Sequence, residues 1–184
     1  MRVITGTARG RKLVTLEGDD VRPTTDKVKE SLFNIIQFDV EGALFLDLFA
    51  GCGQIGIEAI SRGARQAVFV DKSKKSIEII KQNLKTTGFE KKAAVLNCDS
   101  LAFLLRRSEK YDIAFLDPPY AKGILQNALE GVASVMNENG IIICECSLGE
   151  ELPEQVGDFV VFKEYKYGKT LLVSYKIPEK QEDD

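Results

Sequence analysis

The sequence predicts a doubly wound, Rossmann-like α/β fold with a mostly parallel sheet and an antiparallel hairpin at its C-terminal edge. From residue 41 onward, short apolar runs alternate with segments of helical periodicity, which indicates parallel strands covered by helices on both faces. Two β-rich runs joined at Tyr167-Gly168-Lys169 close the pattern, and they predict the hairpin. A glycine-rich turn after the first apolar run is typical of the ligand-binding edge of such a sheet.

The helical segments carry start and stop signals. In the first, RPTTDKVKESLFNII, Pro23 stands before the helix and Thr24 or Thr25 can cap it. In SKKSIEIIKQNLKTTG, Ser73 is the expected cap and Gly88 ends the helix. The other predicted helices are QIGIEAISRG, SLAFLLRRS and a segment from about residue 124 to residue 136. They connect the predicted strands ALFLDLF, QAVFVD, AAVLN, YDIAFLD and GIIICEC.

The 184 residues fit a single domain. We divide it into a basic N-terminal extension and helix (1–40), a catalytic core (41–177) and an acidic tail (178–184). No apolar run approaches the roughly 20 residues that span a bilayer, and the N-terminus lacks the apolar stretch of a signal peptide. The sequence therefore predicts a cytoplasmic protein with no membrane partner.

The residue types that are missing restrict the chemistry. The chain has no histidine, which excludes Ser-His-Asp and Cys-His hydrolases and histidine-dependent general base catalysis. Cys52, Cys98, Cys144 and Cys146 form no C-x-x-C pair, so we predict no metal site. Any reaction must use carboxylates, hydroxyls, backbone groups or a cofactor.

The turn after the first predicted strand, AGCGQIG, places Gly51, Gly53 and Gly56 in a G-x-G-x-x-G spacing. In a doubly wound sheet a nucleotide-like ligand binds at such a turn, because glycines let it approach the backbone and the following helix offers free N–H groups. The same glycines can instead serve only the tight packing of strand and helix. Both interpretations are open at this point.

Acidic residues at the ends of the predicted strands favour a ligand. Asp71, 20 residues beyond Gly51, can accept hydrogen bonds from ribose hydroxyls in dinucleotide enzymes and in S-adenosylmethionine methyltransferases alike. Asp47 stands where a methyltransferase commonly has an acid, although it could also cap the loop. Asp99 could contact an adenine amino group or cap the next helix. The candidate cofactor-binding residues are Asp47, Phe49, Gly51, Gly53, Asp71 and Asp99.

The fourth predicted strand ends in DPPY, residues Asp117, Pro118, Pro119 and Tyr120. Each proline lacks an N–H group, and a proline forces the preceding residue into an extended conformation. The Pro118 carbonyl is thereby left as an acceptor beside the Asp117 carboxylate, and two adjacent acceptors suit an –NH2 group. Tyr120 could stack on the planar ring that carries this amine. Alternatively, the segment is only a turn that ends the strand.

This arrangement predicts methyl transfer to an exocyclic amine of a nucleobase. Such an amine is a poor nucleophile because its lone pair is delocalised into the ring, and two acceptors on its hydrogens can favour a pyramidal nitrogen. Positioning beside a sulfonium methyl group then carries much of the rate. No strong base is required, since the methylated cationic nitrogen loses its proton easily.

The N-terminal segment is a candidate RNA-binding surface. Between residues 2 and 12 it contains four basic residues and no acidic one, and its glycines Gly6 and Gly10 could let the backbone follow a phosphate chain. A solvated edge strand is the alternative. The candidate RNA-binding residues are Arg2, Arg9, Arg11, Lys12, Arg22 and Lys27, to which Lys29 is added as a neighbour.

With these motifs the sequence resembles the bacterial small-subunit ribosomal RNA guanine-N2 methyltransferases. The resemblance runs to about Tyr175 and includes RVITGTARGRKL, RPTTDKVKESLFN, LDLFAGCGQIGIEAISRGA, VFVDKS and FLDPPYAKG. It implies a seven-stranded sheet, S-adenosylmethionine as cofactor, and a guanine amine as acceptor in 16S ribosomal RNA or the assembling small subunit. Asp47, Gly51, Gly53, Asp71 and Asp99 would surround the cofactor, while DPPY would hold the base. Cys52 and Asp71 stand where the family often has serine and glutamate.

Other functions remain as alternatives. An N6-adenine or protein-glutamine methyltransferase would use a similar DPPY motif. An NAD-dependent dehydrogenase could use Tyr165 and Lys169, which have a Tyr-x-x-x-Lys spacing, but the pair falls in the predicted hairpin. An RNA-binding module would leave the glycine turn and DPPY unexplained.

Overall fold

The computed structural model describes residues 1–16, 25–106, 109–119 and 123–178. The predictions for Arg22, Pro23, Thr24, Tyr120 and the acidic tail beyond residue 178 lie outside these residues. The helices are α1 (Asp26–Ile35), α2 (Gln54–Ser61), α3 (Lys74–Thr87), α4 (Ser100–Leu104) and α5 (Ile124–Ser134). The strands are β1 (Leu44–Leu48), β2 (Gln66–Asp71), β3 (Ala93–Asn97), β4 (Tyr111–Leu116), β5 (Met136–Ser147), β6 (Gln155–Val156), β7 (Phe159–Tyr167) and β8 (Thr170–Lys176).

The strands form one sheet in the order β3-β2-β1-β4-β5-β8-β7-β6. The first five strands pair in parallel, and β6, β7 and β8 join antiparallel. The predicted doubly wound fold with a C-terminal hairpin is therefore confirmed. The structure adds β6, a strand of two residues, to the seven predicted strands, because so short a pairing leaves no periodic signal in the sequence.

The two faces of the sheet are covered by different elements. Since side chains alternate along a strand, the residues Phe45, Phe69 and Phe115 face the N-terminal segment and helices α1, α2 and α3. Their neighbours Leu46 and Val70 face α4 and α5. Both faces of the sheet are buried under other elements, which explains why the strands are continuously apolar. None of the helices in the described parts of the chain is long and apolar enough to cross a membrane.

Local capping follows the sequence closely. The Thr25 side chain accepts a hydrogen bond from Val28 N at the start of α1, and Ser73 caps α3 in the same way. Gly88 ends α3 with a left-handed φ of 76°. In contrast, α5 ends at Ser134 and β5 begins at Met136, so the strand starts earlier than predicted. Met136 pairs with Tyr111, whereas the next pair is Ile113 with Ile141. The register therefore shifts between these pairs, and the polar residues 137–139 of β5 lie in the irregular part.

Candidate active site

A cavity of about 330 Å³ lies at the carboxyl ends of β1, β2, β3 and β4. The strand order reverses at β1, which is flanked by β2 and β4, and such a switch point is where ligands bind in open α/β sheets. The volume is within the range of small-molecule sites. The cavity is lined by Leu16, Phe49, Gly51, Val70, Asp71, Lys72, Ser73, Ser76, Cys98, Asp99, Ser100, Leu101, Asp117, Pro118, Pro119 and Ile124.

Most of the predicted cofactor-binding and base-holding residues within the described chain line this cavity. The glycine turn contributes Phe49 and Gly51, and the ends of β2 and β3 contribute Asp71 and Asp99. The predicted base-holding segment contributes Asp117, Pro118 and Pro119. Asp47 and Gly53 are not part of the cavity wall, so their contact with a cofactor stays a prediction.

Asp71 holds the glycine turn in place. Its Oδ2 accepts a hydrogen bond from Gly51 N at 2.9 Å, and its Oδ1 accepts one from Ser73 N at 2.8 Å. Each carboxylate oxygen can accept a further bond, so the side chain can still bind ribose hydroxyls from the cavity. The bond to Gly51 is a role that the sequence did not reveal, because the two residues are 20 positions apart.

The three glycines of the turn have different functions. Gly51 has a φ of 55° and lines the cavity, with open space where a Cβ would stand. A Cβ on Gly56 would lie 2.4 Å from the Phe69 ring, and one on Gly53 would lie 3.1 Å from Ile80. Gly53 and Gly56 therefore allow α2 to pack on the sheet, which is the packing role considered as the alternative. Gly51 is the glycine that a ligand in the cavity can approach.

Phe49 is strained where the chain leaves β1. Its φ of 69° is the one positive value found among the described non-glycine residues, and such a conformation costs about 1–3 kcal/mol. Two hydrogen bonds of 3.0 Å, from Phe49 N and Ala50 N to the Val70 carbonyl, maintain it. The strain turns the chain away from the strand and places Phe49 at the cavity wall.

Asp47 is buried beneath the glycine turn, with 2% of its surface exposed. Its Oδ2 accepts a hydrogen bond of 2.9 Å from Gly56 N in the first turn of α2, so it has the capping role that the sequence left open. Burial raises the pKa of Asp47 to about 7, the Gly56 bond lowers it, and the Asp71 carboxylate raises it again. None of the ion pairs described in the structure compensates this carboxylate.

The raised pKa of Asp47 predicts an unusual pH dependence of stability. The folded carboxyl keeps its proton up to about pH 7, whereas the unfolded one loses it near its ordinary value of 3.8. The folded state thus binds more protons between these values, and the contribution of Asp47 to stability falls as the pH rises through the window. When the pH is raised from about 4 to about 8, the unfolding free energy of the unchanged chain should fall as Asp47 ionises. We expect this fall to be roughly 4 kcal/mol larger than the fall in the Asp47→Asn variant.

Urea unfolding curves of both proteins across this pH range measure the difference. Asp39, which is exposed, supplies a matched control, since Asp39→Asn should leave the pH dependence unaltered. The prediction would be contradicted if the unfolding free energies of the Asp47→Asn variant and the unchanged chain changed with pH by the same amount.

Asp99 caps α4 as the alternative interpretation expected. Its Oδ1 accepts hydrogen bonds from Leu101 N at 3.0 Å and Ala102 N at 3.1 Å. The side chain also lines the cavity, and its Oδ2 remains available to a ligand. Capping and ligand binding are therefore compatible.

Asp117 lies directly beyond the end of β4, between two other carboxyl groups. Burial raises its pKa, and the Glu145 and Asp47 carboxylates raise it further. Among the described residues none donates a hydrogen bond to the adjacent Pro118 carbonyl. Pro118 and Pro119 also line a second cavity of about 620 Å³ on the β5 side. The Asp117–Pro119 segment thus separates two cavities and presents acceptors at their boundary.

The N-terminal segment (residues 1–16) is attached to the core by buried polar groups. The fully buried Glu58 on α2 accepts hydrogen bonds from Ile4 N at 2.8 Å and Thr5 N at 2.9 Å. The Asn83 amide on α3 binds Val14 through both its oxygen and its nitrogen, and it also donates to the Cys52 carbonyl in the glycine turn. The segment therefore has a defined position beside the turn, and Leu16 reaches the cavity.

The orientation of this segment separates the predicted RNA-binding residues. Val3, Ala8 and Leu13 are buried in the core. The basic residues of the segment are exposed, namely Arg2, Arg9, Arg11 and Lys12. Lys27 on α1 is exposed as well.

One detail of the RNA-binding prediction is wrong. Lys29 is fully buried, where its Nζ donates to the Arg2 carbonyl at 2.7 Å and lies 3.9 Å from Glu58 Oε2, so it cannot contact RNA. Gly6 allows close packing, because a Cβ there would lie 1.8 Å from the Ser61 carbonyl oxygen, and its contact with a phosphate chain stays a prediction. Sequence alone did not distinguish the buried lysine from the exposed ones.

A doubly wound sheet with a glycine turn, strand-end acids and an Asp-Pro-Pro segment around one cavity defines an α/β methyltransferase. The solved structure of Escherichia coli yhhF has the same fold, with a TM-score of 0.88 and 29% sequence identity over 96% of this chain and 97% of that one.

The chain belongs to the family of ribosomal RNA small subunit methyltransferase D, as the resemblance in the sequence implied. The family model described as conserved hypothetical protein 95 matches residues 1–176. Ribosomal RNA small subunit methyltransferase D of Escherichia coli K12 is 30% identical over 98% of this chain and 90% of its own length. Bacillus subtilis YlbH is 43% identical over 96% of this chain and 98% of its own.

Proposed function

We propose that the protein transfers a methyl group from S-adenosylmethionine to the N2 amine of a guanine in 16S ribosomal RNA, in the cytoplasm. The observation that carries the proposal is the position of Asp117 and Pro118 in the wall of the first cavity, where Pro118 also lines the second cavity. A donor in the first cavity and a base in the second would meet at the acceptor pair. The relatives named for small-subunit ribosomal RNA support this class of substrate.

The residues of the first cavity fit S-adenosylmethionine. Asp71 and Asp99 offer carboxylate oxygens to ribose hydroxyls and an adenine amine, and Phe49, Leu101 and Ile124 offer apolar surface to the rings. Asp71, Asp99 and Asp117 together place carboxyl oxygens around the cavity, which suits a cofactor that carries a sulfonium cation. When bound, the cofactor supplies an electrophilic methyl group.

The protein's own groups position the acceptor amine. The Asp117 carboxylate and the Pro118 carbonyl accept its two hydrogens, which favours a pyramidal nitrogen whose lone pair points toward the first cavity. The Asp117 carboxylate also stabilises the positive charge that develops on this nitrogen. The site requires no histidine, since the methylated nitrogen releases its proton readily. Tyr120 is proposed to stack on the base.

RNA is proposed to bind along the exposed basic residues of the N-terminal segment. Phosphate contacts give affinity without sequence preference, and the segment lies next to the glycine turn through the Asn83 bonds. Arg22, in the stretch leading to α1, is proposed to extend this surface. A guanine must be unpaired or flipped out to reach Asp117, so its flanking phosphates need to be held.

Replacing Arg9, Arg11 and Lys12 together with alanine is expected to weaken RNA binding and flatten its salt dependence. Each lost contact with single-stranded RNA should reduce the slope of log K against log salt by about 0.7. All three side chains are exposed, so the fold and the binding of S-adenosylmethionine should not change. Fluorescence anisotropy with labelled RNA at several salt concentrations measures the slope.

A control variant carries alanine at Lys163, Lys166 and Lys169, which are exposed on the C-terminal hairpin. It removes the same charge from another surface and should retain most of the salt slope. If both triple variants have the slope of the unchanged chain, neither surface binds RNA.

Mass spectrometry of nucleosides tests the proposed function. Small-subunit ribosomal RNA from cells that lack the protein is incubated with purified protein and S-adenosylmethionine. The amount of N2-methylguanosine should increase with the protein and stay unchanged without it. N6-methyladenosine as the product would instead establish the adenine alternative. If no nucleoside is methylated, peptide mass spectrometry of ribosomal and release proteins incubated with the enzyme in the same way tests the protein alternative.

A further inference from the structure

Glu145 on β5 lines the second cavity together with Pro118 and Pro119. It is nearly buried, with 9% of its surface exposed. The four residues before it in the strand, 141–144, are all apolar. Glu145 lies outside the glycine turn, the strand-end acids and the DPPY segment.

The sheet register brings Glu145 beside Asp117. In the parallel pairing of β4 and β5, Phe115 pairs with Ile143 and Leu116 with Cys144. The next residues in this register are Asp117 and Glu145, and residues paired on adjacent parallel strands point to the same face of the sheet. The influence of Glu145 on the pKa of Asp117 agrees with this proximity. The two acidic residues therefore lie next to each other, and their backbones are one strand spacing (about 4.8 Å) apart.

We propose that Glu145 is a specificity-determining residue that accepts a hydrogen bond from the N1–H group of the target guanine. The inference rests on the proposed function and assigns the base selectivity of the same site. Asp117 and Pro118 hold the amine, while Glu145 reads the neighbouring ring nitrogen from the second cavity.

The chemistry of the bases explains why this contact would select guanine. N1–H lies next to the N2 amine on one edge of guanine, so two adjacent donors face two adjacent carboxyl groups. In adenine, the ring nitrogen next to the exocyclic amine carries a lone pair and no hydrogen. An adenine amine held by Asp117 would direct that lone pair at the Glu145 carboxylate, which leaves two acceptors opposed. A site built to bind a donor rejects an analogue that lacks it.

The test combines a change in the enzyme with a change in the base. The substrate is small-subunit ribosomal RNA, free or assembled into the subunit, with either guanosine or 2-aminopurine at the modified position. 2-Aminopurine keeps the amine at position 2 but has no hydrogen on N1. Single-turnover methylation rates should favour guanosine by about ten- to a hundredfold in the unchanged enzyme, as expected for a hydrogen bond to a charged group.

Glu145→Ala is expected to reduce this preference to near one. Glu145→Gln, which keeps the volume of the side chain, should narrow it as well, because its amide can donate to the bare N1 of 2-aminopurine. Glu151→Ala is the matched control, since Glu151 is an exposed acid that lines the same cavity, and it should keep the full preference. Calorimetry with S-adenosylhomocysteine confirms that each variant is folded.

The outcomes separate the inference from the function on which it rests. If the unchanged enzyme fails to methylate guanosine, the proposed function is overturned. If it methylates guanosine but the folded Glu145 variants keep the full preference over 2-aminopurine, the role of Glu145 is overturned and the proposed function stands.

Discussion

Asp117→Asn is expected to lose at least a hundredfold in turnover while unfolding at a temperature equal to or above that of the unchanged chain. The loss follows because the amide carries no charge to stabilise the cationic nitrogen and has one acceptor in place of two, an electrostatic effect of about 10² to 10³ in rate. Binding of S-adenosylmethionine should remain nearly normal, since Asp71, Asp99 and the glycine turn are unchanged.

The gain in stability has a separate cause. Burial raises the pKa of Asp117, with further contributions from Glu145 and Asp47. A carboxyl whose folded pKa is raised destabilises the fold above its ordinary pKa, because ionisation in the native state is unfavourable. Asparagine has the same shape without this penalty, so thermal unfolding at about pH 8 should show the increase. A site that costs stability is typical of functional residues.

Asp112→Asn is the matched control at the other end of the same strand. The Asp112 carboxylate accepts hydrogen bonds from Leu44 N and Asn137 Nδ2 and lies outside both cavities. Its replacement should leave turnover intact and stability slightly reduced. Full activity of Asp117→Asn, together with full activity of Asp117→Ala, would remove Asp117 from the mechanism.

Glu58→Ala is expected to reduce the free energy of unfolding by about 3–5 kcal/mol, the usual loss when one member of a buried ion pair is removed. Glu58 is fully buried, accepts hydrogen bonds from Ile4 N, Thr5 N and Arg62 Nε, and faces Lys29. Without it, two backbone N–H groups lose their acceptor and the Lys29 ammonium loses the carboxylate facing it. Burial lowers the pKa of Lys29, and Glu58 is the main group that opposes this shift.

Urea denaturation measures the loss, and a double variant tests its cause. In Glu58→Ala/Lys29→Met the uncompensated charge is gone, so part of the stability should return. Glu58→Ala should also expose the N-terminal segment, so trypsin should cleave after Arg9, Arg11 and Lys12 faster than in the unchanged chain. A loss below about 1 kcal/mol with unaltered cleavage would show that the segment is held by its apolar residues alone.

Features encoded by neighbouring residues were predictable from the sequence. The caps at Thr25 and Ser73 and the ending at Gly88 depend on side chains within a few positions of the helix end, so their signals are local. The alternation of apolar strands and helices gave the order of the elements for the same reason. The end of β4 in an Asp-Pro-Pro segment could likewise be read directly, because proline restricts its own backbone and that of its neighbour.

The roles of individual polar residues depended on contacts between distant parts of the chain. The hydrogen bonds that Ile4 N and Thr5 N donate to Glu58 span 54 and 53 residues, and the one that Val14 N donates to Asn83 spans 69. Likewise, the packing role of Gly53 and Gly56 could be distinguished from the open position of Gly51 only once the position of Phe69 on the sheet was known. Pairings of this kind leave no periodic pattern, so a buried Glu58 or Lys29 resembles any surface charge in the sequence.

The sequence by itself therefore determined the doubly wound fold, the methyltransferase family and the strand ends that line the candidate site, because periodicity, turn chemistry and motif spacing are local properties. Only the tertiary structure decided which side chains face the site. It buried Lys29 in the core, placed Asp47 beneath the glycine turn and brought Glu145 beside Asp117, since these positions follow from sheet register and packing between elements that are far apart in the chain.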